Sequence, residues 1–423
     1  MDEQTQIAGQ SHRIIRAGIF VTAAHLLFKF ASLLQAIVFA RLIPGDVYET
    51  VYVFAFEGCI FTIFLIGEEM ISPSFLPVFI GEKEKGGEKS AWEFTSIIIT
   101  FYFILLIAVV IFLMLFPDFI VRSLTTWNYE NDLQRFKLAK YGVQHAAPAI
   151  LALSLGSITY AILNGYKRFF LAAFGDAMSK FFLIFIILFG MGFLGGGHNY
   201  LIYGIIGGSI LKLFTHLIGL RKELSYFRPS FSWRNPAFTQ MIILILPLIA
   251  GILCAKVRDI FNNVYILSLP DMKGLMQANS FGRKLHGTIN YLIPYALSIV
   301  MFPFLCELIN ANNKNKFSQL LSKSGYMLLS VFIPLSFIIA AISRPLVAFL
   351  FEGGEFSKNS VHLTSIATIC YTFAMPALAL EYLLMRAFFA NKQMVSITII
   401  AVSYTHLRAH ETPEHLVCRL LLE

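Results

Sequence analysis

The sequence predicts an all-α polytopic membrane protein, and three observations lead there. Hydrophobic residues make up 57% of the 423 positions and charged residues only 14%, against roughly 25% charged in soluble domains. Mean hydropathy is +0.70. Several apolar runs, among them Thr95–Phe116 and those around Phe181–Leu194, Met241–Cys254 and Met327–Ile342, reach or exceed the ~20 residues that cross a bilayer as helix. The ten-residue alternation of membrane β-strands is absent.

Helices are expected at about 14–42, 48–67, 91–116, 143–165, 170–194, 200–220, 238–268, 275–308, 325–351 and 361–389, with an eleventh from about 393. The first is long enough to span and follows a polar start, so no cleavable signal peptide is visible. Alternate connections differ in cation content. One set, with Lys83, Lys85, Lys89, Arg168, Arg221, Arg228, Lys314 and Arg386 among its members, carries sixteen Lys and Arg; the other carries seven, including Arg41 and Lys358. The positive-inside rule then places the amino terminus in the cytoplasm. The net charge of +8 is largely this asymmetry. No basic stripe interleaves with aromatics, so nucleic acid is not an expected partner. Cys59, Cys254, Cys306, Cys370 and Cys418 stand alone, without zinc or disulfide spacing.

The chain echoes itself. Pro77 in "SPSFLPVF" and Pro303 in "SIVMFPFL" lie 226 residues apart, as do Ala161 in "AILNGYKRFF" and Ala387 in "AFFANKQM". "FPDFIVRSL" (116–124) and "SRPLVAFLF" (343–351) follow corresponding helices. An even number of helices separates each pair, so the repeats run parallel, about an axis along the membrane normal. Two six-helix lobes follow: residues 1–220, a linker at 221–237, and an incomplete second lobe at 238–402. From about Ser403 the sequence "SYTHLRAHETPEHLVCRLLLE" loses its spanning character, and residues 403–423 read as a non-native tail that cuts helix 11 short.

With this organisation the chain resembles the MviN/MurJ lipid II flippases of the multidrug/oligosaccharidyl-lipid/polysaccharide exporter superfamily. The resemblance rests on "RPLVAFLFEGGEFSKNS" (344–360), "RAFFANKQ" (386–393), "ILNGYKRFFLAAFGDAMSK" (162–180), "GEEMISPSFLPVF" (67–79) and "FGRKL" (281–285) in that family's spacing. It implies translocation of an undecaprenyl-pyrophosphate-linked peptidoglycan precursor across the inner membrane by alternating access, driven by an ion gradient or the membrane potential. It implies no enzyme activity and no cofactor, and a monomer is expected. No GxxxxGK[ST] loop is present, so direct ATP coupling is not expected.

A lipid pyrophosphate needs cations in place of its hydration shell. Charges inside apolar runs are costly and mark functional sites. Lys29, Lys180, Lys212, Lys256, Arg258, Arg283 and Lys284 are such charges. By resemblance Lys29 and Lys284 fall at cavity cations, Arg41 at an Ala-Arg that ends helix 1, and Glu49 near an acid that starts helix 2. Substrate contact is expected from Lys29, Arg41, Lys256, Arg258, Arg283 and Lys284; gating or coupling from Glu49, Asp176, Lys180 and Asp259. The pattern departs from the family where Gln35 replaces a second helix-1 Arg, Ile63–Phe64 an Arg pair, and Arg283 an Asp. The bland alternatives are i, i+4 or adjacent pairing of Lys180 with Asp176 and Arg258 with Asp259, snorkelling of Lys212, and hydrogen-bonding roles for His25, His216 and His286. Gly282, Gly287, Pro294 and Pro303 serve either bending or close packing. Competing functions are a flippase for another polyprenyl-linked glycan and a cation-coupled drug exporter; the latter should line its cavity with carboxylates.

Overall fold

A computed structural model describes residues 26–125, 127, 132–166, 168–246, 249, 252, 274–290, 305, 308–309 and 313–391. Most of the expected helix 7, the second half of helix 8, and helix 11 with the tail lie outside these residues. Among the described residues the structure is helical, with one isolated β-bridge between Gly353 and Phe356. Among the described residues five helices are long and apolar enough to cross a membrane, or seven if each of two bent pairs counts as one span. The chain forms two compact units, Met1–Ser268 and Leu269–Glu423.

In the first unit, α1 (26–42) leads into the short α2 (Gly45–Val47), a π-helical stretch Tyr48–Ile60, and α3 (Phe61–Leu115). The wider turn of the π-helix puts Tyr48, Tyr52 and Phe56 in one column, with ring centroids 5.5 and 5.6 Å apart. Phe39 of α1 meets Tyr52 edge-on at 4.8 Å. Gly87, at φ 68°, breaks α3 where a side chain would be strained.

The segment expected as a loop at 117–141 contains two helices, α4 (Pro117–Leu124) and α5 (Leu133–Ala146). Local signals favour both. Pro117 occupies the first turn, where its missing N–H costs nothing. Asp132 caps α5 by accepting from the Arg135 N–H at 3.4 Å. α6 (Ala149–Gly165) follows at a 47° bend, so the expected helix 4 at 143–165 is a bent pair. α7 (Phe169–Ile187) and α8 (Asn199–Gly219) then pack closely. A Cβ on Gly208 would lie 2.6 Å from the Ser179 carbonyl oxygen, so only glycine permits this approach.

Residues 220–235 do not hang free. Leu224 and Phe227 pack on a core containing Trp92 and Phe94. Backbone N–H groups of Arg228 and Ser230 donate to Ser96 Oγ (3.1 Å) and Thr100 Oγ1 (3.3 Å) of α3. Arg168 grips Glu223 through two bonds of 2.9 and 2.7 Å, and it also donates to the Gly219 carbonyl. The strap ends at α9 (Pro236–Leu246), where Asn235 Oδ1 accepts the Ala237 N–H at 2.9 Å.

The Arg168 guanidinium holds the Glu223 carboxyl below its usual range. A folded pKa lowered in this way adds stability above the unfolded value, about 4.3, and that stability fades as pH falls through the folded value. Limited proteolysis within 221–235 should therefore quicken as pH drops below about 4.3. Glu223→Gln should cut at the same rate throughout; an unchanged acid dependence in that variant would show that the clamp is not the cause.

The second unit holds α10 (Leu275–Asn290), α11 (Lys314–Ala341), α12 (Ser343–Phe351), α13 (Lys358–Phe373) and α14 (Met375–Ala390). The expected helix 9 is thus split after Ala341. Gly353 and Gly354, at φ 126° and 59°, make the turn after α12. That turn folds Phe356 back onto Phe351 and Phe281, with centroids 5.8 and 5.5 Å away. This triad gives the "LFEGGEF" motif its physical reason: two glycines turn the chain and two phenylalanines close it. α10 lies against α13, where a Cβ on Gly282 would come within 3.0 Å of Ala367. Gly282 therefore serves close packing.

The repeat is visible in these helices. α4 and α12 begin at Pro117 and Ser343, and α6 and α14 at Ala149 and Met375, each pair 226 residues apart. The bends between α5 and α6 and between α13 and α14 are 47° and 44°.

Candidate functional site

In the first unit, a cavity of about 190 Å3 opens among α1, the π-helical stretch, α3, α6, α7 and α8. Its lining includes Phe28, Phe64, Glu68, Asp176, Lys180 and Lys212. Lys212 Nζ lies 2.6 Å from Asp176 Oδ1. The lysine side chain is 6% exposed and the aspartate 29%, so the carboxylate is the more open partner of the pair. Gly156 of α6 lets the lysine stem pass, since a Cβ there would sit 3.2 Å from Lys212 Cε. Phe64 places its ring 5.4 Å from Nζ, within range of a cation–π contact.

This decides one of the bland alternatives. Lys212 does not snorkel to a helix end; it is buried and paired across to α7. For Asp176 the bland alternative was a pair with Lys180, one turn along its own helix. The ion pair seen runs between helices, because tight α7–α8 packing brings Lys212 to its face. Lys180 lines the same cavity. One turn on from Lys212, His216 is fully buried. Its Nε2 lies 3.0 Å from the Ala172 carbonyl and its Nδ1 3.0 Å from Thr159 Oγ1. Nδ1 also lies 3.1 Å from the Gly156 carbonyl of α6, which makes His216 a hydrogen-bonded link between α6, α7 and α8.

Lys29 is half-buried on α1, beside the cavity-lining Phe28. Gln35 donates from Nε2 to Tyr52 OH at 2.8 Å. Arg41 is exposed. Glu49 is 3% exposed and pairs with Arg135 Nη2 at 3.2 Å. Arg135 in turn lies 3.5 Å from Asp132, so the π-helical stretch is tied to α5.

In the second unit, Arg283 is exposed and Lys284 half-buried on α10, with Lys284 Nζ 5.9 Å from the Phe281 ring. His286 is buried and stacks on Tyr371 of α13 at 5.7 Å. Tyr371 OH donates to Asn279 Oδ1 at 2.7 Å. Among the described residues His286 Nε2 has no hydrogen-bond partner. Lys256, Arg258, Asp259, His25, Pro294 and Pro303 lie outside the described residues. Among the described residues no group of three or more His, Cys, Asp or Glu could hold a metal ion.

Sequence reasoning did not assign Glu68 to a cavity or Arg135 to Glu49. The signal for the Lys212 pair was present: α7 and α8 carry one carboxylate and two lysines in otherwise uncharged runs. Hydrophobic periodicity alone could not say which lysine the carboxylate meets.

Multiple apolar spans around a cavity with paired charges define a multi-pass membrane protein of the transporter kind. The fold agrees with solved structures. One described as lipid II flippase MurJ in an inward closed conformation superposes with a TM-score of 0.73 at 22% identity, covering 94% of this chain and 83% of that one. An inward-facing multidrug resistance MATE family transporter of the MOP superfamily gives 0.66 at 11% identity, covering 90% and 84%. A probable lipid II flippase MurJ from Buchnera aphidicola subsp. Schizaphis graminum is 22% identical over 400 residues, 93% of this chain and 77% of the relative. Another, from Rhizobium meliloti, is 23% identical over 336 residues, 78% of this chain and 61% of that relative. The lipid II flippase MurJ family model matches residues 39–409. The chain belongs to the lipid II flippase MurJ family.

Proposed function

We infer that this protein translocates lipid II, the undecaprenyl-pyrophosphate-linked peptidoglycan precursor, across the bacterial inner membrane by alternating access. The observation that carries the reading is the family match over residues 39–409. The chemistry is consistent with it. Lys29, Lys180 and Lys284 are half-buried on membrane helices, where ammonium groups can meet a phosphate at low dielectric. In this reading the protein transports without enzymatic turnover, works as a monomer, and keeps its amino terminus in the cytoplasm. The cavity carboxylates Glu68 and Asp176 are the feature a cation-coupled exporter would share, but Lys212 already neutralises Asp176.

Depleting a host's own lipid II flippase while supplying this gene in trans tests the function. Rescue of growth and cell shape is expected. Failure despite membrane expression, with rescue instead of a strain lacking another polyprenyl-glycan flippase, would reassign the substrate.

The orientation has a separate check. A cysteine at Gly86 should react with an impermeant maleimide only after the inner membrane is opened, and a cysteine at Gly354 in intact spheroplasts. The reverse pattern overturns the loop-charge argument.

A further inference from the structure

The strap at 220–235 has two faces: an inner one fixed to the protein and an outer one that carries exposed arginines and aromatic rings. Its inner face is fixed by the Ser96 and Thr100 hydrogen bonds, the Arg168–Glu223 clamp and the core contacts of Leu224 and Phe227. Outward, Phe231 and Trp233 are 61% and 64% exposed, and Arg221, Arg228 and Arg234 of the same strap are exposed. Among the described residues no carboxylate pairs with these three arginines. The nearby acids Glu88 and Glu223 are taken by Lys83 and Arg168. Arg234 stays close to Trp233, its guanidinium carbon 5.4 Å from the ring.

The depth of the strap says what it meets. Ser96 and Thr100 lie in the first two turns of the apolar run Thr95–Phe116 of α3. The Phe231 ring packs 6.0 Å from Phe101, and Phe103, Ile104 and Leu105 just beyond are exposed as lipid-facing residues are. A chain pinned at that level lies at the boundary of hydrocarbon and headgroup. Aromatic rings favour that boundary. Arginines there meet phosphate bidentately, which lysine cannot do, and cations near a membrane surface favour anionic lipid.

We propose that the strap is a docking surface for the phosphate headgroups of anionic phospholipids, with Arg221, Arg228 and Arg234 as the phosphate partners and Phe231 and Trp233 as the interfacial anchors. The occupant is bilayer lipid, and the assignment is independent of which lipid the protein carries. Rigidity distinguishes this surface from an ordinary basic loop: the backbone is bonded to a spanning helix, so the arginines are presented without first being ordered.

Tryptophan fluorescence gives a direct reading, because the chain has three tryptophans and Trp92 and Trp127 are 1% and 4% exposed. The full-length protein is placed in phosphatidylcholine nanodiscs containing a small fraction of brominated phosphatidylglycerol or, separately, brominated phosphatidylcholine. The expected result is quenching by both, with a preference of about tenfold for the anionic lipid that falls in high salt. Trp233→Phe should remove most of the quenchable signal, and R228Q/R234Q should bring the two lipids toward parity. Equal quenching by the two lipids in the unaltered protein overturns the proposal. So does quenching by aqueous acrylamide with none from either lipid, which would assign the surface to water or to a soluble acidic partner. Both of these outcomes are measured on the unaltered protein, so a variant that fails to fold does not obscure them.

Discussion

Lys212→Ala is expected to destabilise the first unit by about 3 kcal/mol, near the lower end for breaking a buried ion pair. The lower end applies because Asp176 retains 29% exposure and water can reach it. The loss has three sources. The carboxylate keeps its charge without its partner, the lysine stem leaves a gap against Gly156 of α6, and the cation over Phe64 disappears. Thermal unfolding in detergent measures the effect. Removing both charges with Lys212→Met and Asp176→Asn should recover most of it, since two neutral side chains of similar volume impose no desolvation cost. A single Lys212→Ala variant within about 0.5 kcal/mol of the parent, the usual span for a surface change, would mean that the pair contributes nothing to stability.

Lys284→Ala should abolish complementation of a flippase-depleted strain while the protein still reaches the membrane at normal abundance. Lys284 is half-buried on α10, and the packing of that helix is carried by the buried Phe281, Leu285 and Gly282. Truncation therefore removes a cation and little core. Lys284→Arg should keep partial activity, because charge next to a pyrophosphate matters more than shape, although the bulkier fork fits the same space less well. Wild-type growth supported by Lys284→Ala would remove this residue from the substrate path. Loss of abundance in the same variant would instead make it a packing residue.

The helical class and the repeat were legible because both are written in one dimension. Apolar run length reports the bilayer, and the spacing of Pro77 and Pro303 or of Ala161 and Ala387 needs no third dimension to be noticed. The bends within the bent pairs were not read. Residues 133–165 look like one polar stretch and one apolar stretch, and the break at Ala147–Pro148 separates two helices that are each locally favourable. The "LFEGGEF" turn shows the middle case. Its glycines announce a turn, but only packing reveals that Phe281 from another helix fills it.

For the charged residues the division is sharper. The sequence alone determined that cations and carboxylates sit in membrane helices, since composition and hydropathy place them there. It also determined which lie near one another along a helix. Only the tertiary structure decided partners. Lys212 meets Asp176 because glycines at the α7–α8 contact let two helices approach until a side chain from one reaches the other, and Glu49 meets Arg135 across 86 positions of chain. The linker read as a polar spacer became a strap because Ser96 and Thr100 of α3 accept backbone donors that the strap cannot pair within itself. The physical reason is the same in each case. Helix formation and membrane insertion are local and sum along the chain, whereas ion pairs and hydrogen bonds at low dielectric depend on distances of a few ångströms between residues that only close packing brings together.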